Sequence, residues 1–218
     1  MMVTVPDFSF EAEALAGGAT CVVGVDEVGR GPIAGPVTAA AVRLDPGNIP
    51  EGLRDSKAMS QAARERLSDW LLTHAAVSVA HASVEEIDEI NILRASHLAM
   101  ERAVAGLGQG QGQGQGPDFA LIDGNLLPRG LTIPARALVR GDARCQSIAA
   151  ASIVAKVARD RIMVDLAQQF PGYGWERNAG YPTKAHLQAL LDFGVTPVHR
   201  RSFKPIHNIL YQDVYVSL

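Results

Sequence analysis

Two cysteines, Cys21 and Cys145, are all the thiol in 218 residues. That is too few for a disulfide framework or a cysteine-built zinc site, and it suits a reducing compartment. No run is long and apolar enough to span a bilayer, because the alanine-rich stretch from Ile148 is interrupted by Ser152 and Lys156. The opening MMVTVPDFSFEAEAL has no basic segment leading into an apolar one, so it does not read as a secretory leader. A formal net charge of −3 lacks the positive excess of a general polyanion binder. These absences predict a soluble, cytoplasmic protein with no membrane partner. What is present is a hydrophobic content of 47%, which excludes general disorder and allows one core-bearing domain with a small appendage.

Charge is unevenly spread. Residues 1–128 carry 8 Lys/Arg against 17 Asp/Glu, whereas residues 129–218 carry 12 against 6. One half can supply acids while the other offers a basic surface. Apolar patterning places strands at Cys21–Val28, Val37–Leu44, Ala76–Ala82 and Phe119–Asp123, with a weaker one at Arg136–Val139. The short link between the first two favours an antiparallel pair. Helices are expected from Ser60 to about Thr73, from the Ser83/Glu86 capping box, from about Asn91 to Val104, over Ser147–Phe170, and over Lys184–Phe193 after a Thr183 cap. This order gives an α/β fold with one mixed sheet flanked by helices. Gly-Gln repeats near residues 107–117 read as a flexible surface loop.

The chemistry is concentrated in acids at strand ends. VVGVDEVGRGPIAGP delivers Asp26 and Glu27 from an apolar strand into a turn with glycines at 29, 31 and 35. Buried charges there need a cation or hydrogen-bond donors. Asp123 ends the FALID strand, and Asp142 precedes the long helix. Each has an ordinary alternative: a paired strand-end charge for Asp26 or Glu27, a turn former for Asp123, a helix cap for Asp142. Converging on one sheet edge, the four would need neutralising, and oxygen-only ligands suit Mg²⁺ or Mn²⁺. Two such ions can activate water and stabilise the leaving oxygen in phosphodiester hydrolysis.

The strings GVDEVGRGPIAGPV, RDSKAMS, LIDGN, GDARCQSIAAASIVAKVARDR, GYPTKAH and HRRSFKPI, in this order, resemble bacterial ribonuclease HII, the type 2 ribonuclease H, from about Val22 to Ile206. Departures are the Gly-Gln loop, Ala58 after DSK and Cys145; none removes an acid. The resemblance implies a ribonuclease H-like catalytic core over 1–170 and a C-terminal helical extension over 171–218 that contacts substrate. It implies Asp26, Glu27, Asp123 and Asp142 as catalytic, metal-binding acids, and Gly29, Arg30 and Gly31 as a turn contacting the ribonucleotide through its backbone. Tyr181 resembles the tyrosine that packs on the sugar beside an RNA–DNA junction, and Lys57 the lysine near the scissile phosphate. Arg144, Lys156 and Arg159 are candidates for the phosphate track, as are Arg200, Arg201 and Ser202. His199 and Cys145 read as structural. The implied substrates are RNA–DNA hybrids and duplex DNA carrying single ribonucleotides, cut on the 5′ side of the ribose to leave 3′-hydroxyl and 5′-phosphate ends. A monomer is the default expectation. The C-terminal QDVYVSL matches a sliding-clamp docking tail only loosely. The rivals are a ribonuclease HIII, an actin-like phosphate loop, for which the chain is short by a lobe, and a catalytically silent hybrid binder.

Overall fold

The structure, a computed structural model, describes residues 5–107 and 116–211; most of the Gly-Gln segment and the C-terminal QDVYVSL lie outside the described residues. Five strands form one sheet: β1 (Val22–Val28), β2 (Val37–Arg43), β3 (Ala76–Ala82), β4 (Phe119–Asp123) and β5 (Ala135–Leu138). Their order is β3-β2-β1-β4-β5. β1 lies at the centre, antiparallel to β2 and parallel to β4, and β5 continues the parallel edge. The antiparallel pairing expected of β1 and β2 is present, with Asp26 opposite Ala40 and Glu27 opposite Ala39.

β1 is apolar on both sides because both faces of the sheet are covered. Helix α3 (Val84–Gly106) packs on one face, where Val23, Val25, Ala39 and Ile122 meet Ala95, Ala99 and Ala103. Helices α2 (Gln61–His74) and α4 (Gln146–Gln169) cover the other, with Ala149, Ala150 and Ile153 against Ala40 and Val42. Small residues let α4 come close. At Gly24 a Cβ would stand 2.2 Å from the Ser147 carbonyl carbon.

Local signals set most boundaries. The Ser60 hydroxyl accepts from Ala63 N at the start of α2, and Ser83 with Glu86 closes a full capping box on α3. The two helices expected at 83 and 91 are continuous except at Asn91 (φ 66°, ψ 162°), whose Oδ1 accepts from Leu93 N and Arg94 N and restarts the helix. Asp142 does not cap α4; it sits in a 3₁₀ turn, Gly141–Ala143. No expectation covered α1 (Ser9–Ala16). Its buried Glu11 accepts from Ser147 N at 2.7 Å and so occupies the N-terminus of α4, where a carboxylate complements the helix dipole.

The C-terminal residues form α5 (Trp175–Asn178), α6 (Lys184–Phe193) and α7 (Lys204–Tyr211). They share a hydrophobic cluster with Ile33, Ala34 and Met163. Among the described residues no helix is long and apolar enough to cross a membrane.

Candidate active site

Parallel pairing places Val25 beside Ile122, so the next residues, Asp26 and Asp123, lie side by side where the β1–β4 pairing ends. The Gly141 amide donates to Asp123 Oδ1 at 2.6 Å, which draws the Asp142 turn onto the end of β4. A Cβ on Gly141 would lie 2.6 Å from Ile148 Cδ1, so a side chain there would have to push that methyl aside. Glu27 is half-buried and pairs with Arg30 at 3.3 Å. Four carboxylates from β1, β4 and the following turn therefore share one end of the sheet.

Electrostatics shows how closely they sense each other. Burial, then Glu27, Asp123 and Asp142, hold the Asp26 carboxyl well above the usual carboxylate range, against a hydrogen bond from Ser152. Burial and Asp123 raise Glu27 despite the Arg30 charge, and burial with Asp123 and Asp55 raises Asp142. Such a cluster carries more negative charge than its protein surroundings neutralise. Its donors are all oxygen, which fits a hard divalent ion. Among the described residues no three potential ligands stand close enough to clasp an ion as placed, so an entering ion would have to draw the mutually repelling carboxylates together.

Lys57 projects from a 3₁₀ turn (Ser56–Ala58) capped by Asp55, whose Oδ1 accepts from Lys57 N at 2.8 Å. Burial lowers the affinity of its amine for a proton, but Asp55, Asp26, Asp142 and Asp123 outweigh that and raise it. The turn is tied to α4 by Ser56 Oγ, 2.8 Å from Ser152 Oγ. Ser152 thus ties the lysine turn to α4 and lowers the Asp26 carboxyl against the effect of burial, a role the sequence reading missed. The available signal was a hydroxyl interrupting an alanine run.

The Gly29–Gly31 turn is held from behind. Arg200 is fully buried and donates to the carbonyls of Gly29 (2.7 Å), Arg30 (3.2 Å), Pro32 (2.7 Å) and Gly35 (2.9 Å). Arg159, also buried, donates to Ala34 O, Pro36 O and Ala179 O. Among the described residues the amides of Gly29, Arg30 and Gly31 donate to no protein group. The turn therefore has its carbonyls tied inward and its donors free. Tyr181, 45% exposed, lies across Gly31, where a Cβ would meet its ring at 3.1 Å. Behind Tyr181 a buried histidine pair is locked in one tautomeric state. The Thr196 amide donates to His199 Nδ1, so His199 Nε2–H donates to His186 Nε2, which also accepts from Trp175 Nε1. His186 Nδ1–H is left to donate to Tyr181 O at 2.9 Å.

Several expected phosphate ligands are placed elsewhere. Arg159 and Arg200 are corrected to internal braces, because seven backbone carbonyls, six of them between Gly29 and Pro36 and the seventh that of Ala179, consume both guanidinium groups. The Ser202 amide and hydroxyl and the Arg201 amide all donate to the Asp88 carboxylate, which engages Ser202 structurally. The Arg144 guanidinium stacks on Phe10 of α1, 5.0 Å from its ring. Lys156 pairs with Asp160 at 2.7 Å. Cys145 is buried, donates to Glu11 Oε1, and has its thiol pushed up to about 12 by burial and Glu11.

A cavity of about 500 Å³ lies at the other end of β1 against Val22, Leu44 and Phe8 and does not include the four acids.

Residues 23–206 match the family model described as Ribonuclease HII. A Ribonuclease HII of Cereibacter sphaeroides (strain ATCC 17025 / ATH 2.4.3) is 68% identical over 217 residues, 100% of each chain. The ribonuclease H2 of Pyrococcus horikoshii OT3 superposes with a TM-score of 0.69 at 28% identity, covering 87% of this chain and 97% of that one. The RNase HII of Archaeoglobus fulgidus, solved in complex with PCNA, gives 0.70 at 25% identity over 85% and 96%.

Proposed function

The chain belongs to the ribonuclease HII family and is a hydrolytic ribonuclease; from that premise we propose that it cuts the phosphodiester on the 5′ side of a ribonucleotide, in RNA–DNA hybrids and at single ribonucleotides in duplex DNA, leaving 3′-hydroxyl and 5′-phosphate ends. The observation that carries this reading is the juxtaposition of the acid edge with a turn whose three amides donate to no protein group and whose Gly29 and Arg30 carbonyls are tied back by Arg200. A 2′-hydroxyl accepts hydrogen bonds, and a rigid row of amides at close approach can recognise it where deoxyribose offers nothing. Tyr181, lying over Gly31, supplies a flat face for the neighbouring sugar. Together the two features read one ribose within a duplex without reading its base.

Asp26, Glu27, Asp123 and Asp142 would hold Mg²⁺ or Mn²⁺, which when bound supplies water activation and neutralises charge on the phosphate. The chain's own contribution is positional. The Gly141 amide fixes Asp123, and the Asp142 turn follows from that bond. Lys57 brings a cation to the same edge, where it attracts the phosphate and offsets carboxylate repulsion.

The test is a labelled DNA duplex containing one ribonucleotide, incubated with Mg²⁺ or Mn²⁺ alongside EDTA and Asp26→Asn controls. We expect a single cut 5′ to the ribose, none in all-DNA duplex and none in either control. Tight binding without cleavage in either metal would overturn the reading. A cut confined to long hybrids would remove the single-ribonucleotide role.

A further inference from the structure

With Arg159 and Arg200 turned inward, the duplex needs cations from elsewhere. The face of α3 that carries Arg94, His97 and Glu101, at spacings of three and four residues, is one stripe of a helix. Glu101 Oε1 accepts from the Gly130 amide at 2.7 Å, which pulls the β4–β5 loop against this stripe and brings the exposed Arg129 beside it. That loop follows Asp123, one of the four acids. Burial, then the Arg94 charge, lowers the proton affinity of the buried His97 imidazole, with Arg30 and Arg129 acting in the same direction and Glu101 against them.

Arg94 is the unusual member. Its Nη1 is buried and has no hydrogen-bond partner, and among the described residues its guanidinium makes no ion pair. A buried donor left unmade is costly, and a guanidinium is the group best shaped to grip a phosphate through two parallel bonds. It also lies in the first turn after the Asn91 break, where the freshly started helix favours an anion.

We infer that Arg94 and Arg129, on either side of His97, form a site for a backbone phosphate of the bound duplex. The inference rests on the nucleic-acid substrate proposed above. The site positions the duplex and reads no base, so it acts equally on DNA with and without a ribonucleotide.

The test measures binding of two duplexes, one all-DNA and one with a single ribonucleotide, in EDTA so that no cleavage intervenes. Salt is varied from about 50 to about 200 mM for the wild type, Arg94→Gln, Arg94→Lys and Arg129→Ala. Each lost phosphate contact lowers the slope of log affinity against log salt by about 1. The Arg94→Gln and Arg129→Ala proteins should thus lose about fourfold less affinity than the wild type over that range, on both duplexes, with Arg94→Lys in between. Thermal unfolding of each variant separates this from a folding defect, and exposed Arg129 keeps the test decisive if Arg94→Gln is unstable. Unchanged slopes in Arg129→Ala and in folded Arg94→Gln would overturn the proposal. If the slopes shift but the wild type cuts nothing when metal is added, the phosphate site stands and the nuclease reading falls.

Discussion

Gly24 sits where α4 crosses β1, two residues before Asp26. The atoms a Cβ would strike there, Ser147 C at 2.2 Å and Ile148 N at 2.3 Å, are backbone and cannot rotate away. Gly24→Ala should force the helix off the strand and destabilise the protein by about 1–3 kcal/mol in urea unfolding, with cleavage falling as Asp26 shifts. His199 gives a pH prediction. Burial, then His186, lowers its folded pKa to about 4 from an ordinary 6.5, so the unfolded chain binds the extra proton first. Its contribution is complete above about pH 6.5 and is lost as pH falls toward 4, up to about 3 kcal/mol at about 1.4 kcal/mol per unit. Burial lowers His186 too, with the same sign. Unfolding midpoints measured from pH 7.5 to 5 should fall for the wild type and fall less for His199→Asn. At this scale the acids were legible, because a charge ending an apolar strand is anomalous in any fold. Arg200 was not. HRRSFK reads as a basic surface, and the carbonyls that claim its guanidinium lie 165 to 171 residues away in the chain.

Among the elements, the break in α3 is held by one side chain. Asn91 occupies a left-handed φ of 66° and caps the amides of Leu93 and Arg94. Asn91→Ala removes the cap and leaves a Cβ in a conformation that disfavours it, for an expected loss of about 2–3 kcal/mol. Asn91→Gly keeps the conformation and gives up a few tenths of a kcal/mol at the cap, so chemical denaturation should rank Gly well above Ala. Capping residues made α2, α3 and α6 readable to within a residue or two. α1 escaped notice because its buried contact is a glutamate and no side chain caps its start. What α1 contributes, the carboxylate that holds Ser147 N, depends on a helix more than a hundred residues later, so no local pattern announces it.

For the molecule as a whole, a central strand covered on both faces explains why β1 and β4 read so plainly as continuous apolar runs. The parallel insertion of β4 beside β1 is a tertiary fact that alternation and turn residues do not encode. The acidic first half and basic second half meet at the site only in part: Arg30, Lys57 and Arg94 come from the acidic half, while two arginines of the basic half are buried. The bracing of the Gly29–Gly31 turn has a temporal consequence. A chain emerging from the ribosome can pair β1, β2 and β4 and bring the carboxylates together while the residues around Arg200 are still unmade. The carbonyls at 29 to 35 then have no donors, and the turn has no fixed shape. The ribose discrimination proposed above is therefore acquired last, in a closure of very long sequence separation and hence of slow, late formation. A partly made chain is left with the gathered carboxylates but without the braced turn beside them.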